Sequence, residues 1–335
     1  MNAPVAISAP APALVDGFGR RFSYLRFSIT EVCNFRCDYC LPDGFKKTAG
    51  MDFVTPNEVE RITRAFADLG VSKVRLTGGE PSVRRDLRDI IGRVAGVKGV
   101  SKVAMTTNGW NLKRNITAWR DAGLTHLNVS VDTLDPDQFH RITGHDRLHD
   151  VIAGVDAAVA LDLAKVKVNG VLLRETAETG FAAFEAFVRE RPVSVRFIEL
   201  MRTLDNADYF ASHHVPGARL RDWLTARGWS PSPRASDDGP AIEFAHPDFA
   251  GRIGLIAPYA PGFCDSCNRL RITSRGQLRL CLFGELGVPL RDLLGEGQEE
   301  ALQHRISTAL TRKPRGHRLA AADSGDTRQL AQFGG

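Results

Sequence analysis

The strongest constraint on this chain is eight residues long: Cys33-Asn-Phe-Arg-Cys37-Asp-Tyr-Cys40. Intervals of three and two residues let one loop wrap three thiols around a single metal centre. A structural zinc site closes with four ligands, and this loop offers three. A cubane iron–sulfur cluster takes one cysteine per iron, so three thiolates leave one iron without a protein ligand. A metal with an open position does chemistry, because something else must bind there.

The other three cysteines form a second triplet, Cys264-x2-Cys267-x13-Cys281, again with no obvious fourth thiol. A zinc knuckle completed by histidine is the alternative, but His304 and His317 lie too far downstream for knuckle spacing. Two tight, distant triplets in a long chain read as two metal sites in a reducing cytoplasm rather than as disulfides. Residues 1–17, MNAPVAISAPAPALVDG, carry no positive n-region and read as a disordered Ala/Pro-rich extension rather than a secretory signal. No apolar run approaches the ~18 residues of a membrane span. The formal net charge of +5 favours an anionic partner, nucleic acid or a phosphorylated small molecule, without choosing between them. No run of Lys and Arg forms a nucleic-acid arm.

From Tyr24 to Met201, β-rich runs alternate with helical stretches. Strands are expected at Tyr24–Ile29, Lys73–Leu76, Lys102–Thr106, His126–Val131, Lys165–Leu172 and Ser194–Leu200. Helices are expected at Pro56–Leu69, Leu87–Val94, Thr117–Ala122, Leu148–Ala160 and Ala182–Arg189, the first capped by Thr55 with Glu58 close behind. Repeated strand–helix units predict an α/β fold, an incomplete (β/α)6 TIM-type barrel over residues 18–225. In such barrels the site lies at the C-terminal strand ends, where the unusual residues fall. The region 226–335 changes pattern, with short strands around the second triplet, a helical tail at Glu299–Thr311 and a terminal Gly334-Gly335.

Several charges sit inside apolar strands. Arg26 and Arg75 have few solvated positions open to them on buried parallel strands, which makes a buried anion plausible. In an extended segment Arg269 and Arg271 point to one side, a fork suited to phosphate, and Lys167 adds a point charge. Gly78-Gly79-Glu80-Pro81 follows the second strand, where two glycines would let a ligand approach and Glu80 would neutralise an amine. Phe181, Phe184 and Phe187, at helical spacing, read as core packing.

The first triplet, with Tyr39 before its last cysteine, resembles the signature of the radical S-adenosylmethionine superfamily. The second triplet, Asn268-Arg269-Leu270-Arg271 and the Gly-Gly end narrow the resemblance, over residues 18–335, to the GTP 3′,8-cyclase family, the lyases that open molybdenum cofactor biosynthesis. The resemblance implies two [4Fe–4S] clusters, on Cys33, Cys37 and Cys40 and on Cys264, Cys267 and Cys281. It implies S-adenosylmethionine contacts at Tyr39, Gly79, Ser130 and Met201, with Glu80 and Arg196 nearby. It implies GTP contacts at Arg26, Arg75, Thr106, Lys167, Arg269, Leu270 and Arg271, and a tail, Gly334 and Gly335, reaching toward the site. The Met-rich tail usual in that family has no counterpart in Gln329–Phe333. The implied reaction removes the 3′ hydrogen of GTP and joins C3′ to guanine C8. An external electron donor, a homodimer and a downstream cyclic pyranopterin monophosphate synthase complete the implied setting, with neither nucleic acid nor membrane as a partner. The rival readings are a radical enzyme with an auxiliary cluster acting on a peptide, and a non-enzymatic zinc- or nucleic-acid-binding protein.

Overall fold

The computed structural model describes residues 13–47, 51–233, 238–284 and 287–333. Six strands run parallel in chain order: β1 (Tyr24–Thr30), β2 (Lys73–Gly78), β3 (Lys102–Thr107), β4 (His126–Ser130), β5 (Lys165–Leu172) and β6 (Ser194–Glu199). Between them lie α1 (Pro56–Asp68), α2 (Leu87–Gly96), α3 (Leu112–Asp121), α4 (Pro136–Thr143), α5 (Leu148–Ala160) and α6 (Arg174–Glu190). After α7 (Ala207–His213) and α8 (Ala218–Ala226), the chain supplies β7 (Ser230–Pro231), β8 (Ile242–Ala245) and β9 (Arg252–Ile256) at the β6 edge. It then supplies β10 (Arg269–Ile272), β11 (Gln277–Arg279) and β12 (Val288–Pro289) at the β1 edge, before α9 (Glu299–Leu310). β9 joins β6 in parallel and β10 joins β1 in parallel, so the C-terminal region extends both edges of the barrel sheet.

The two faces of each strand do different work. On β1, Leu25, Phe27 and Ile29 are fully buried toward the helices, where Val59, Ile62 and Phe66 of α1 and Ile90 and Val94 of α2 join the same core. Tyr24, Arg26 and Ser28 alternate with them and face the barrel interior. The expected helix starts are visible locally. Thr55 accepts from the Glu58 N–H while a Glu58 carboxylate oxygen accepts from the Thr55 N–H at 2.7 Å, a reciprocal cap with Pro56 at the first position. Phe181, Phe184 and Phe187 are buried in the core as expected.

Two expectations change. Disorder was expected over residues 1–17, and the described part of that stretch is ordered: Leu14 is buried, bonds Leu69 and Phe22 through its backbone, and starts a hairpin in which Val15 bridges Arg21. Leu14 and Phe22 enter the core, which ordering of this segment requires to offset its lost entropy. Helix α4 was not anticipated because eight residues show little periodicity, although its Asp135 cap, Pro136 and left-handed Gly144 are all start and stop signals. The tail glycines Gly334 and Gly335 and residues 1–12 lie outside the described residues. No helix among the described residues is long and apolar enough to cross a membrane.

Thr55→Ala removes the α1 cap from a solvent-facing position. A loss of about 1 kcal/mol in unfolding free energy is expected from chemical denaturation; an unchanged midpoint would show that the cap contributes nothing.

Candidate functional site

Barrel interiors usually carry layers of Val, Ile and Leu. Here the inward positions carry Tyr24 and Arg26 on β1, Lys73 and Arg75 on β2, Asn128 on β4, Lys167 and Asn169 on β5, Arg196 on β6, and Arg269 and Arg271 on β10, all around one chamber. Register puts Arg26 beside both Arg75 and Arg271, Asn128 beside Lys167, and Asn169 beside Arg196. Gly254 of β9 pairs with Arg196, and a Cβ there would stand 3.0 Å from the Arg196 Cγ, so the missing side chain gives the arginine its room.

These cations are tied to neutral partners more than to carboxylates. Arg75 donates through Nε to the Tyr24 hydroxyl, and through Nη1 to the Met105 carbonyl at 2.9 Å and to Thr106 Oγ1 at 3.2 Å. Arg196 donates twice to Asn169 Oδ1, at 3.1 and 2.8 Å. Lys167 meets an acid, its Nζ lying 3.5 Å from Glu243 Oε1. Burial, with Arg75 as neighbour, lowers Arg196 to about 10. Burial also lowers Arg26 to about 10, and burial with Arg196 brings Lys167 down to about 7. Burial raises the Tyr24 phenol, yet Arg75, Arg26 and Lys73 outweigh it and hold that group at about 6. Desolvated cations that depress one another's protonation make a chamber whose electrostatics would favour an anion.

A second chamber lies at the C-terminal strand ends. The loop after β1 turns at Cys37, whose carbonyl accepts from the Cys40 and Leu41 N–H groups at 3.0 and 2.8 Å. It docks on α4 through Arg36 and Asp38, whose N–H groups reach the Thr143 and Ile142 carbonyls. Phe35 packs edge-on to Trp110 and Phe139, and Asn34 Oδ1 accepts from Asn108 Nδ2 at 2.8 Å. Cys33, Cys37 and Cys40 line the chamber with Tyr39, Gly79 and Ser130. Burial pushes the Cys33 thiol up to about 11 and Cys40 to about 12, and the negative charges of their neighbours add to this. Such thiols ionise against a cationic metal. Among the described residues no group of three or more His, Cys, Asp or Glu is arranged to hold a single ion. Cubane cysteines each bind a different iron and are not required to converge on one point. The donor set and its enclosure fit a cluster of that kind.

The chambers adjoin. Thr106, Asn169, Ile198 and Met201 line both. At the other side of the basic chamber stand Cys264, Cys267 and Cys281. Burial opposes ionisation of Cys267, but Arg269 and Lys313 prevail and lower its thiol. Burial raises Cys264, and the Cys281 and Cys267 charges add to that, so the three thiols sense one another.

The expected residues distribute unevenly. Arg26, Arg75, Thr106, Lys167, Arg269 and Arg271 meet in the basic chamber, and the three residues Tyr39, Gly79 and Ser130 meet around the first triplet. Leu270 does not join them: it is buried in the helix-facing core, because alternation turns it away from its two arginine neighbours. Arg196 lines the basic chamber and not the cysteine chamber, touching the latter only through Asn169. The Glu80 side chain is spent on the chain itself. It accepts from the Ser82 N–H and Thr107 Oγ1 at 2.8 Å each and from the Asn108 N–H at 2.6 Å. Glu80 thus ties the β2 and β3 ends together. Sequence reasoning missed Tyr24, Lys73, Asn128, Asn169 and Lys313. All but Lys313 sit two residues from, or across from, a predicted site residue on the same strand face. It also missed Asp132, whose carboxylate accepts from the Tyr39 hydroxyl at 2.9 Å and the Val171 N–H at 2.8 Å.

The Radical SAM superfamily model matches residues 27–185, and the Molybdenum Cofactor Synthesis C model matches residues 193–319. Among solved structures, Streptococcus suis SuiB bound to S-adenosylmethionine aligns at TM-score 0.59 and 15% identity, covering 93% of this chain and 77% of that one. Another structure of Streptococcus suis SuiB aligns at TM-score 0.53 and 18% identity, covering 89% and 68%. These two share the fold.

Gly78 and Gly79 serve the cysteine loop directly. The Gly79 and Glu80 N–H groups donate to the Thr30 and Val32 carbonyls at 3.0 and 2.7 Å, and a Cβ on Gly79 would stand 2.4 Å from the Val32 oxygen. Gly79→Ala is therefore expected to displace residues 31–33 and to lower iron bound at the first triplet. Iron and sulfide counts with low-temperature spectroscopy would read this, and a variant with full iron would show that the loop accommodates the methyl group.

Proposed function

Since this chain belongs to the radical S-adenosylmethionine superfamily and joins that domain to a molybdenum cofactor synthesis domain, we propose that it converts GTP to (8S)-3′,8-cyclo-7,8-dihydroguanosine 5′-triphosphate. The observation that carries this reading is the shared wall: a chamber of buried cations opens onto a three-cysteine chamber at one side and meets a second cysteine triplet at the other. When bound at Cys33, Cys37 and Cys40, a [4Fe–4S] cluster with S-adenosylmethionine supplies one-electron chemistry that removes a hydrogen atom from substrate.

The chain's own residues do the holding. Arg26, Arg75, Lys167, Arg269 and Arg271 bind the triphosphate, whose charge offsets their mutual repulsion. Binding energy from that remote group fixes the ribose at the wall of Thr106, Asn169 and Met201. Tyr39, Gly79, Ser130 and Met201 hold S-adenosylmethionine. Asp132 fixes the Tyr39 hydroxyl, and Arg196 holds the Asn169 amide at the junction. Cys264, Cys267 and Cys281 would hold a second [4Fe–4S] cluster beside the guanine. C3′ and C8 are thereby kept in reach of one another and away from water. The same reading includes an external one-electron donor and a homodimer.

Anaerobic reconstitution is expected to give about eight irons per chain, followed by GTP-dependent 5′-deoxyadenosine formation. Iron that stays at about four, or cleavage indifferent to GTP, overturns the cyclase reading. Arg269→Ala should weaken GTP binding about ten- to a hundredfold, the worth of one charged hydrogen bond, with iron content unchanged. Lost iron in that variant would make Arg269 structural.

Lys167 gives the pH dependence. Burial leaves the free group at about 7, and an adjacent phosphate raises it. Above pH ~7 the complex therefore takes up a proton, and affinity for GTP falls as pH rises. Calorimetry in buffers of different ionisation enthalpy should detect that uptake in the wild type and not in Lys167→Arg. Equal uptake in both would remove Lys167 from the triphosphate site.

A further inference from the structure

Arg20 stands on the hairpin before β1, and neither chamber includes it. It is buried, and its guanidinium spends its donors on four groups. Nε donates to Asp16 Oδ2 at 2.7 Å. Nη1 donates to the Cys264 carbonyl at 3.0 Å and to the Arg315 carbonyl at 2.6 Å, and Nη2 donates to the Pro314 carbonyl at 2.8 Å. The Asp16 side chain is fully enclosed, and its other oxygen accepts from the Phe18 and Arg20 N–H groups at 3.0 Å each. The ion pair is thus buried with its lone pairs and protons satisfied, the condition under which such a pair is tolerated and its rupture is costly.

All three carbonyls belong to the walls of the second triplet. Cys264 is one of its thiols. Pro314 and Arg315 lead into Gly316 and His317, and the His317 backbone N–H donates to the Cys264 sulfur. A Cβ on Gly316 would lie 3.5 Å from that sulfur, so the segment passes directly against it. Segments 244 and 295 residues away in sequence from Arg20 meet on its one planar group.

We propose that Arg20 is a positioning residue for the second triplet: its fork, braced by Asp16, holds the Cys264 backbone and the 314–317 segment in the one arrangement that brings Cys264 to a cluster with Cys267 and Cys281. This rests on the reading of the second triplet as a cluster site. Arg20 carries no thiol and acts through the backbone it holds, at Cys264 and at the 314–315 carbonyls. Lysine cannot replace it, because a single ammonium cannot address a carboxylate and three carbonyls in different directions.

The test is anaerobic reconstitution of the full-length wild type, Arg20→Lys and Arg20→Ala, with iron and sulfide counts, electron paramagnetic resonance of the reduced proteins, and S-adenosylmethionine cleavage without GTP. The wild type is expected at about eight irons, with two distinguishable cluster signals. Both variants should fall toward about four irons, lose or shift only the second signal, and keep basal cleavage. Eight irons and an unchanged second signal in Arg20→Lys overturn the proposal, even where Arg20→Ala fails to fold. Equal loss of both signals overturns it as well, by making Arg20 a general stability residue. A wild type with about four irons and one signal overturns the second-cluster reading itself, and the proposal with it.

Discussion

Everything in this fold answers to a group of cations buried inside a barrel. Arg75, Lys167, Arg196 and Arg271 each lose most of their water, and Arg26 is added to the same space. Taking even one such charge out of water costs several kcal/mol unless it is paired. The chain meets that cost with hydroxyl, amide and carbonyl acceptors and with few carboxylates. The opposite face of the same strands must therefore supply an unusually sound core, and Leu25, Phe27, Leu76, Val74 and Met105 do so at zero exposure. Strand alternation is what allows one segment to serve both purposes.

The β1–β2 pair sets the distance between the strand cations and the thiols of the first triplet. Tyr24 pairs with Lys73 and Arg26 with Arg75, and the register then shifts between Ser28 and Thr30. Past that shift the ladder gives way to the bonds from Gly79 and Glu80 into residues 30–32. The cysteine loop thus starts where β1 stops, seven residues from Arg26 to Cys33. A charge on the strand and a thiol on the loop are held by one continuous piece of backbone.

What could be read from the sequence was local. The cysteine spacings, the Thr55 cap and the alternation that puts Arg269 and Arg271 on one side all depend on residues a few positions apart, and the structure keeps them. Leu270 was legible too, since the same alternation excludes it from the arginine face. Glu80 was not, because its partners Thr107 and Asn108 arrive on β3, 27 and 28 residues later. Arg196 lines the basic chamber and reaches the junction through Asn169, a placement that depends on the β5–β6 register and is not legible in the sequence. Arg20 carried no sequence signal at all: every distant group it binds is a backbone carbonyl, which any residue could present.

The second triplet reaches the neighbourhood of the first through sheet pairing. Thiols more than two hundred residues apart line adjoining chambers because β10 adds to β1 in parallel, with Arg26 beside Arg271. β9 adds to β6 at the opposite edge. Without these strands the barrel sheet would present two rows of unpaired backbone groups, the arrangement that invites association between chains. The C-terminal region therefore completes the sheet at both ends while delivering cysteines and arginines to its interior. Closing the fold and assembling the site are one event, governed by pairings of long sequence separation and their loop-closure entropy. A barrel half that folded alone would hold the first three thiols and lack Arg269, Arg271 and the second triplet.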